Sequence, residues 1–176
     1  DDVERMTAET LAKFGRIDVL VNNAAIAIAK PVLETTLEDW QQLIKINLTG
    51  VYLCTRTVLK HMVERGQGNI ISIASGSGFR GSPGNTAYSA TKAGVAVFTQ
   101  SLAGEVRQHG VRVNVISPGP IKTEMLASRP DSASSTTDES NYLEPEDVAG
   151  AALFLASNLS GHITGQVIHV RNSSRW

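Results

Sequence analysis

The 176 residues carry 16 Lys and Arg against 17 Asp and Glu, a formal net charge of −1. That balance offers no footprint for nucleic acid or for an anionic membrane surface, and no apolar run approaches the ~18 residues of a membrane span. One cysteine, Cys54, excludes an internal disulfide and fits a reducing, cytoplasmic setting. No signal peptide, internal repeat or interdomain linker is visible, and the length suits one domain with a core of its own.

In chain order, Asp2 to Phe14 has helical spacing through Val3, Met6 and Leu11, with Gly15 as a stop. Ile17 to Val21 is a short apolar strand ended by Asn22-Asn23. Thr36 to Glu64 reads as one long amphipathic helix, with Thr36 as N-cap and Glu38-Asp39 in its first turn. Asn69 to Ile73 is a second strand, and Ala87 to Gln108 a helix closed by Gly110. Val111 to Ile116 is a third strand. Pro145 to Ser157 is a helix with Pro145 in its first turn, and Gln166 to Val170 is the last strand. Three strand–helix–strand crossovers with apolar strands predict an α/β fold, a parallel sheet covered on both faces. Ligands in such sheets bind beyond the carboxyl ends of the strands.

After the first strand comes Asn22-Asn23-Ala24-Ala25, a polar turn whose small residues let a ligand approach the backbone; it also reads as a turn closed by its own carboxamides. After the second comes Ala74-Ser75-Gly76-Ser77-Gly78, where Ser75 or Ser77 can donate a hydrogen bond, or where a Gly/Ser loop simply reverses the chain. After the third comes the rigid stretch Ser117-Pro118-Gly119-Pro120-Ile121-Lys122-Thr123.

Tyr88 and Lys92 stand four apart on a predicted helix, which puts phenol and ammonium on one face. A phenol titrates near about 10, too high to serve as an acid or base at neutral pH. A fixed cation beside it favours phenolate, and lowering it by about three units takes roughly 4 kcal/mol. The pair is therefore either a tuned acid/base or a surface Tyr stacked under a Lys stem. Asn47 falls on the apolar stripe Trp40, Leu43, Ile44, Val51, Cys54, Val58, Met62 of the long helix. A buried carboxamide needs partners: a backbone group, or a water or Lys92 beneath a site. His61, His109, His162 and His169 lack metal-ligand spacing, so no metal is expected. Cys54 reads as core, and no Gly-x-Ser-x-Gly elbow occurs.

The order and spacing of Asn22-Asn23-Ala24-Ala25, Asn47, Ser75, Tyr88-x-x-x-Lys92, Pro118 to Thr123 and Ile163-Thr164-Gly165-Gln166 resemble the short-chain dehydrogenase/reductase family in its single-domain form. The resemblance covers nearly the whole chain, and 3-oxoacyl-[acyl-carrier-protein] reductases look most similar. It implies a Rossmann-like doubly wound sheet over residues 1–176, an NAD or NADP cofactor, and a small carbonyl or alcohol substrate. Tyr88 would exchange a proton with the substrate oxygen, and Lys92 would lower its pKa and bond the nicotinamide ribose. Ser75 would polarise the substrate oxygen, and Asn47 would place a water that links Lys92 to solvent. Asn23, Ala24 and Ala25 would line the cofactor near its ribose; Pro118, Gly119, Ile121 and Thr123 would meet its nicotinamide end. The stretch 124–143, rich in Ser, Thr, Asp and Ala, would be a flexible substrate lid.

Three departures from the family pattern bear on these expectations. The glycine-rich turn after the family's first strand is absent, along with the pyrophosphate site and the residue that sorts NAD from NADP. Three family strands would then be missing and four remain, with Ile17 to Val21 as an apolar edge. On that reading the 176 residues alone are poorly soluble and bind dinucleotide weakly or not at all. Ala25 replaces a usual Gly, and Arg171-Asn172-Ser173 stands where the family continues Asp-Gly-Gly. Two functions stay open: an oxidoreductase interconverting a secondary alcohol and a ketone or 3-oxoacyl group, or a non-catalytic remnant or interaction module. The helix from Ala87 also carries a second small or apolar face, Ala90, Ala93, Gly94, Val97, Phe98 and Ser101. With the family's dimer-of-dimers habit, that face implies a homodimer or homotetramer.

Overall fold

The computed structural model describes residues 2–127 and 142–172. Helix α1 (Asp2–Phe14) leads into β1 (Val19–Asn22), the first of four parallel strands. The others are β2 (Gly68–Ile73), β3 (Val111–Pro118) and β4 (Val167–Val170), and the strands lie in the order β1-β2-β3-β4. Leu20 stands opposite Ile70, Ile70 opposite Val113, and Ile116 opposite Ile168. Strand pleating sends alternate residues to opposite faces. Ile70 and Val113 accordingly pack with Val58, Met62 and Leu102 on one face, while Ile71 and Ile116 pack with Leu155 on the other. Both faces of β2 and β3 are buried, which is why these two strands read as continuous apolar runs, whereas Val19 and Val21 of β1, at the sheet edge, are 36 % and 45 % exposed.

The first face is covered by α3 (Gly50–Arg65) and α5 (Thr86–Val106), the second by α7 (Pro145–Ala156). The long helix expected over 36–64 is not one α-helix. Helix α2 (Leu37–Ile44) passes through a π turn, Lys45–Thr49, into α3. Leu43, Asn47, Val51 and Thr55 are all buried at intervals of four. An α-helix drifts about 40° at each such step. The wider π turn absorbs the drift and keeps the four on one face. Hence Thr55, not Cys54, occupies the buried row; Cys54 is half-buried, and desolvation pushes its thiol pKa up. Trp40, at the start of the expected stripe, is 42 % exposed.

The helix starts follow the sequence. Thr36 caps α2 reciprocally with Asp39, whose carboxylate accepts from the Thr36 amide at 3.0 Å. Glu144 and Asp147 form the same device on α7, with Pro145 in its first turn. The stretch 163–166 proves structural. Thr164 Oγ1 accepts from the Val113 amide at 3.0 Å, Gly165 N donates to Val113 O at 2.8 Å, and Gln166 N donates to Asn114 Oδ1 at 3.1 Å. These bonds set the register of β4 on β3. Of the lid expected over 124–143, the start forms the short helix α6 (Glu124–Ala127), and residues 128–141 lie outside the described residues. Its two flanks are joined: Ile121 bridges Leu143, and Leu143 N donates to Pro120 O at 2.9 Å. Among the described residues no helix is long and apolar enough to cross a membrane.

Candidate active site

The turns that follow all four strands open into one cavity of about 650 Å³ at the carboxyl edge of the sheet. Asn23, Ala24 and Ala25 line it after β1, Ser75 to Ser77 after β2, Pro118 to Ile121 with Thr123 after β3, and Arg171 with Asn172 after β4. Backbone bonds hold these turns side by side. Ala74 N donates to Ile116 O at 2.8 Å, Gly76 N to Pro118 O at 2.9 Å, and Gly119 N to Val170 O at 2.8 Å.

Tyr88 and Lys92 enter the cavity from the first turns of α5. Both are nearly covered, at 6 % and 3 % exposure, so the pair is no surface stack. The Lys92 ammonium lies 5.8 Å from the centre of the Tyr88 ring and donates to Ile73 O at 2.8 Å. Burial brings the Lys92 pKa down from 10.5 to about 8. An ammonium under that strain favours a negative charge nearby. Ser75 faces the same cavity, and its Oγ accepts from Ser77 N at 3.3 Å.

Helix α4 (Ser77–Arg80) follows Ser75 and meets α5 at Gly78. A Cβ on Gly78 would come within 2.8 Å of Ala93 N and of the Lys92 carbonyl carbon, so only glycine permits this contact between α4 and α5. In the sequence Gly78 reads only as part of a Gly/Ser loop, with no signal for this contact.

Two carboxamides are separated by their roles. Asn22 is buried and donates to Thr55 Oγ1 at 3.0 Å, pinning β1 to α3, while Asn23 is exposed to the cavity. Asn47 lies outside the cavity lining. Its Oδ1 accepts from Ile26 N at 2.8 Å, and its Nδ2 donates to Ile26 O at 2.9 Å and to Thr91 Oγ1 at 3.2 Å. It ties the segment after Ala25 to α5, on the residue beside Lys92. Arg80, Ser82, Met125, Leu126 and Arg171 also line the cavity. The strand-end rule, applied to β4 as it was to the first three strands, points to Arg171. Arg80 and Ser82 carry no comparable sequence signal.

A family model described as enoyl-(acyl carrier protein) reductase matches residues 1–172. The 3-oxoacyl-[acyl-carrier-protein] reductase of Synechocystis sp. is 45 % identical over 172 residues, covering 97 % of this chain and 70 % of that protein. The solved structure of ElxO with NADP bound superposes with a TM-score of 0.88 at 35 % identity, covering 96 % of this chain and 71 % of that one. A gluconate 5-dehydrogenase from Burkholderia cenocepacia, in complex with NADP and tartrate, gives 0.87 at 32 %, covering 96 % and 69 %. With its parallel sheet, its strand-end cavity and these relatives, the chain belongs to the short-chain dehydrogenase/reductase family of NAD(P)-dependent oxidoreductases.

Proposed function

We propose that the protein interconverts a secondary alcohol and a ketone or 3-oxoacyl group, with Tyr88 as general acid/base and Ser75, Lys92 and Asn47 in support. The observation that carries this reading is the convergence of Tyr88, Lys92 and Ser75 on one cavity at the carboxyl ends of the strands. The residues fit the nicotinamide-riboside end of NAD or NADP. The cavity is large enough for it, small Ala24 and Ala25 leave the backbone approachable, and the described partners engage one of the three Lys92 donors. Asn23, Ala24, Ala25, Tyr88, Lys92, Pro118, Gly119, Ile121 and Thr123 would hold it. Bound there, the nicotinamide supplies or accepts the hydride.

The chain's own residues manage the proton and the charge. Ser75 Oγ donates a hydrogen bond to the substrate oxygen and fixes the carbonyl. Tyr88 gives its phenolic proton to that oxygen in reduction and takes it back in oxidation. Lys92 stabilises the phenolate left behind, which is the charge its buried ammonium is suited to meet. Asn47 acts by position, holding the segment after Ala25 against α5. Outside the site, exposed Tyr52, Leu53 and Val97, with Phe98 edge-on to Tyr52 at a centroid distance of 6.3 Å, form an apolar surface on α3 and α5 that supports self-association as a homodimer or homotetramer.

The test is carbonyl-dependent oxidation of NADH and NADPH by the protein expressed together with any coding sequence upstream of Asp1, since the 176 residues alone are expected to hold dinucleotide weakly, with an acetoacetyl thioester and simple ketones offered in turn. Turnover with one of the nucleotides is expected. Its absence with both, under conditions where the protein is folded, would remove this reading.

A further inference from the structure

One wall of the cavity is not accounted for by a neutral ketone. Beyond Ser75 and Tyr88, its lining carries two guanidinium groups, Arg80 and Arg171. With Lys92 they make three cations, and no Asp or Glu is among the described lining residues. Among the described residues neither arginine forms an ion pair with a carboxylate.

The elements that carry the two arginines meet at His169 of β4. Arg80 ends α4, and its neighbour Phe79 packs edge-on against His169 of β4 with ring centroids 5.1 Å apart. Arg171 follows β4, and its Nη2 lies 3.3 Å from His169 Nδ1. That contact makes Nδ1 the acceptor, and it turns the guanidinium back across the end of the sheet. A Cβ placed on Gly76 would stand 4.0 Å from Arg171 Nη2, so the guanidinium lies over the turn that follows Ser75. Its stem passes 3.8 Å from the corresponding position on Gly119. The positive wall therefore adjoins the residues assigned to the carbonyl.

We infer that Arg80 and Arg171 form an anion subsite that takes the carboxylate of a small oxo acid while its ketone meets Tyr88 and Ser75. The inference rests on the carbonyl-reducing reading above. Arginine suits the role because its planar fork pairs with a carboxylate through two parallel bonds. No carboxylate of the described lining competes, so an incoming acid displaces water and no ion pair. An ester of the same ketone has the same shape near the carbonyl but offers no charge to the wall.

The experiment pairs each acid with its methyl ester. Pyruvate, acetoacetate and levulinate, and the three esters, are assayed with NADH and NADPH, the series varying the distance between ketone and carboxylate. At least one acid should exceed its ester in kcat/KM by about 10- to 100-fold, the range of a charge-assisted hydrogen bond. Arg171→Met and Arg80→Met should each erase most of that preference, raising KM for the acid far more than KM for its ester. Arg171→Lys should restore part of it. Esters reduced as well as acids throughout, or an acid preference that survives both substitutions, would overturn the subsite and leave the proposed chemistry standing. Failure of every acid and every ester would remove the carbonyl-reducing reading and the subsite with it. Calorimetric titration of levulinate against methyl levulinate gives a readout independent of turnover: the acid should bind more tightly, and Arg171→Met should equalise them.

Discussion

At the residue scale, Lys92 is a cation held in the protein against the cost of its burial. A displacement from 10.5 to about 8 by burial corresponds to about 3 kcal/mol against the charged form. Below pH about 8 the folded protein keeps a desolvated ammonium that the unfolded chain keeps in water. Between about 8 and 10.5 the folded-state amine is neutral while the unfolded chain still binds the proton, so the penalty fades as pH rises through that window. Lys92→Met should therefore raise stability towards urea at pH 7, by up to about 3 kcal/mol less the bond to Ile73 O, and the advantage should narrow by pH 10. A variant that is less stable at both pH values would contradict the assignment of burial as the dominant effect. The sequence made the Tyr88–Lys92 pair visible through its spacing alone. It could not show that the pair is covered, which depends on Ile73, Gly78 and the turns brought from other strands.

At the scale of the elements, the strands and most helix ends were legible because apolar runs, caps and glycine stops are local signals. Helix α1 spans the residues that its spacing predicts, and α7 starts at the predicted proline. The π turn at Lys45–Thr49 was not legible, since its cause is the packing of Leu43, Asn47, Val51 and Thr55 on one face. The stretch 163–166 was legible as a motif, but its role in setting β4 on β3 emerged only from its bonds to Val113 and Asn114. The contact of α4 with α5 at Gly78 carries its own prediction. Gly78→Ala should push α4 off Lys92 and Ala93, lower stability by about 1–3 kcal/mol and lower kcat by about 10-fold or more, as Ser75 moves relative to Tyr88. Gly104→Ala, where an added Cβ meets nothing within 4 Å, is the control and should leave kcat unchanged. Thermal unfolding and steady-state kinetics on both variants check the pair; equal behaviour would show that the close approach does not matter.

At the scale of the whole molecule, a parallel sheet gathers at one edge the ends of strands that are far apart in sequence. Asn23, Ser75, Ile121 and Arg171 meet in one cavity for that reason, and Tyr88 and Lys92 join them because α5 starts beside β2. The chain spans about 70 % of the length of the Synechocystis relative and of the ElxO chain. Within that span lie Tyr88, Lys92 and Ser75, the residues proposed for proton transfer, and the two arginines that line the same cavity. The proposed role of Tyr88 in moving the proton is tested by comparing kcat for carbonyl reduction and cofactor affinity in the parent protein and in Tyr88→Phe. A fall in kcat of about 10²- to 10⁴-fold is expected, with nucleotide binding nearly unchanged. A Tyr88→Phe protein that turns over at the parent rate would contradict it.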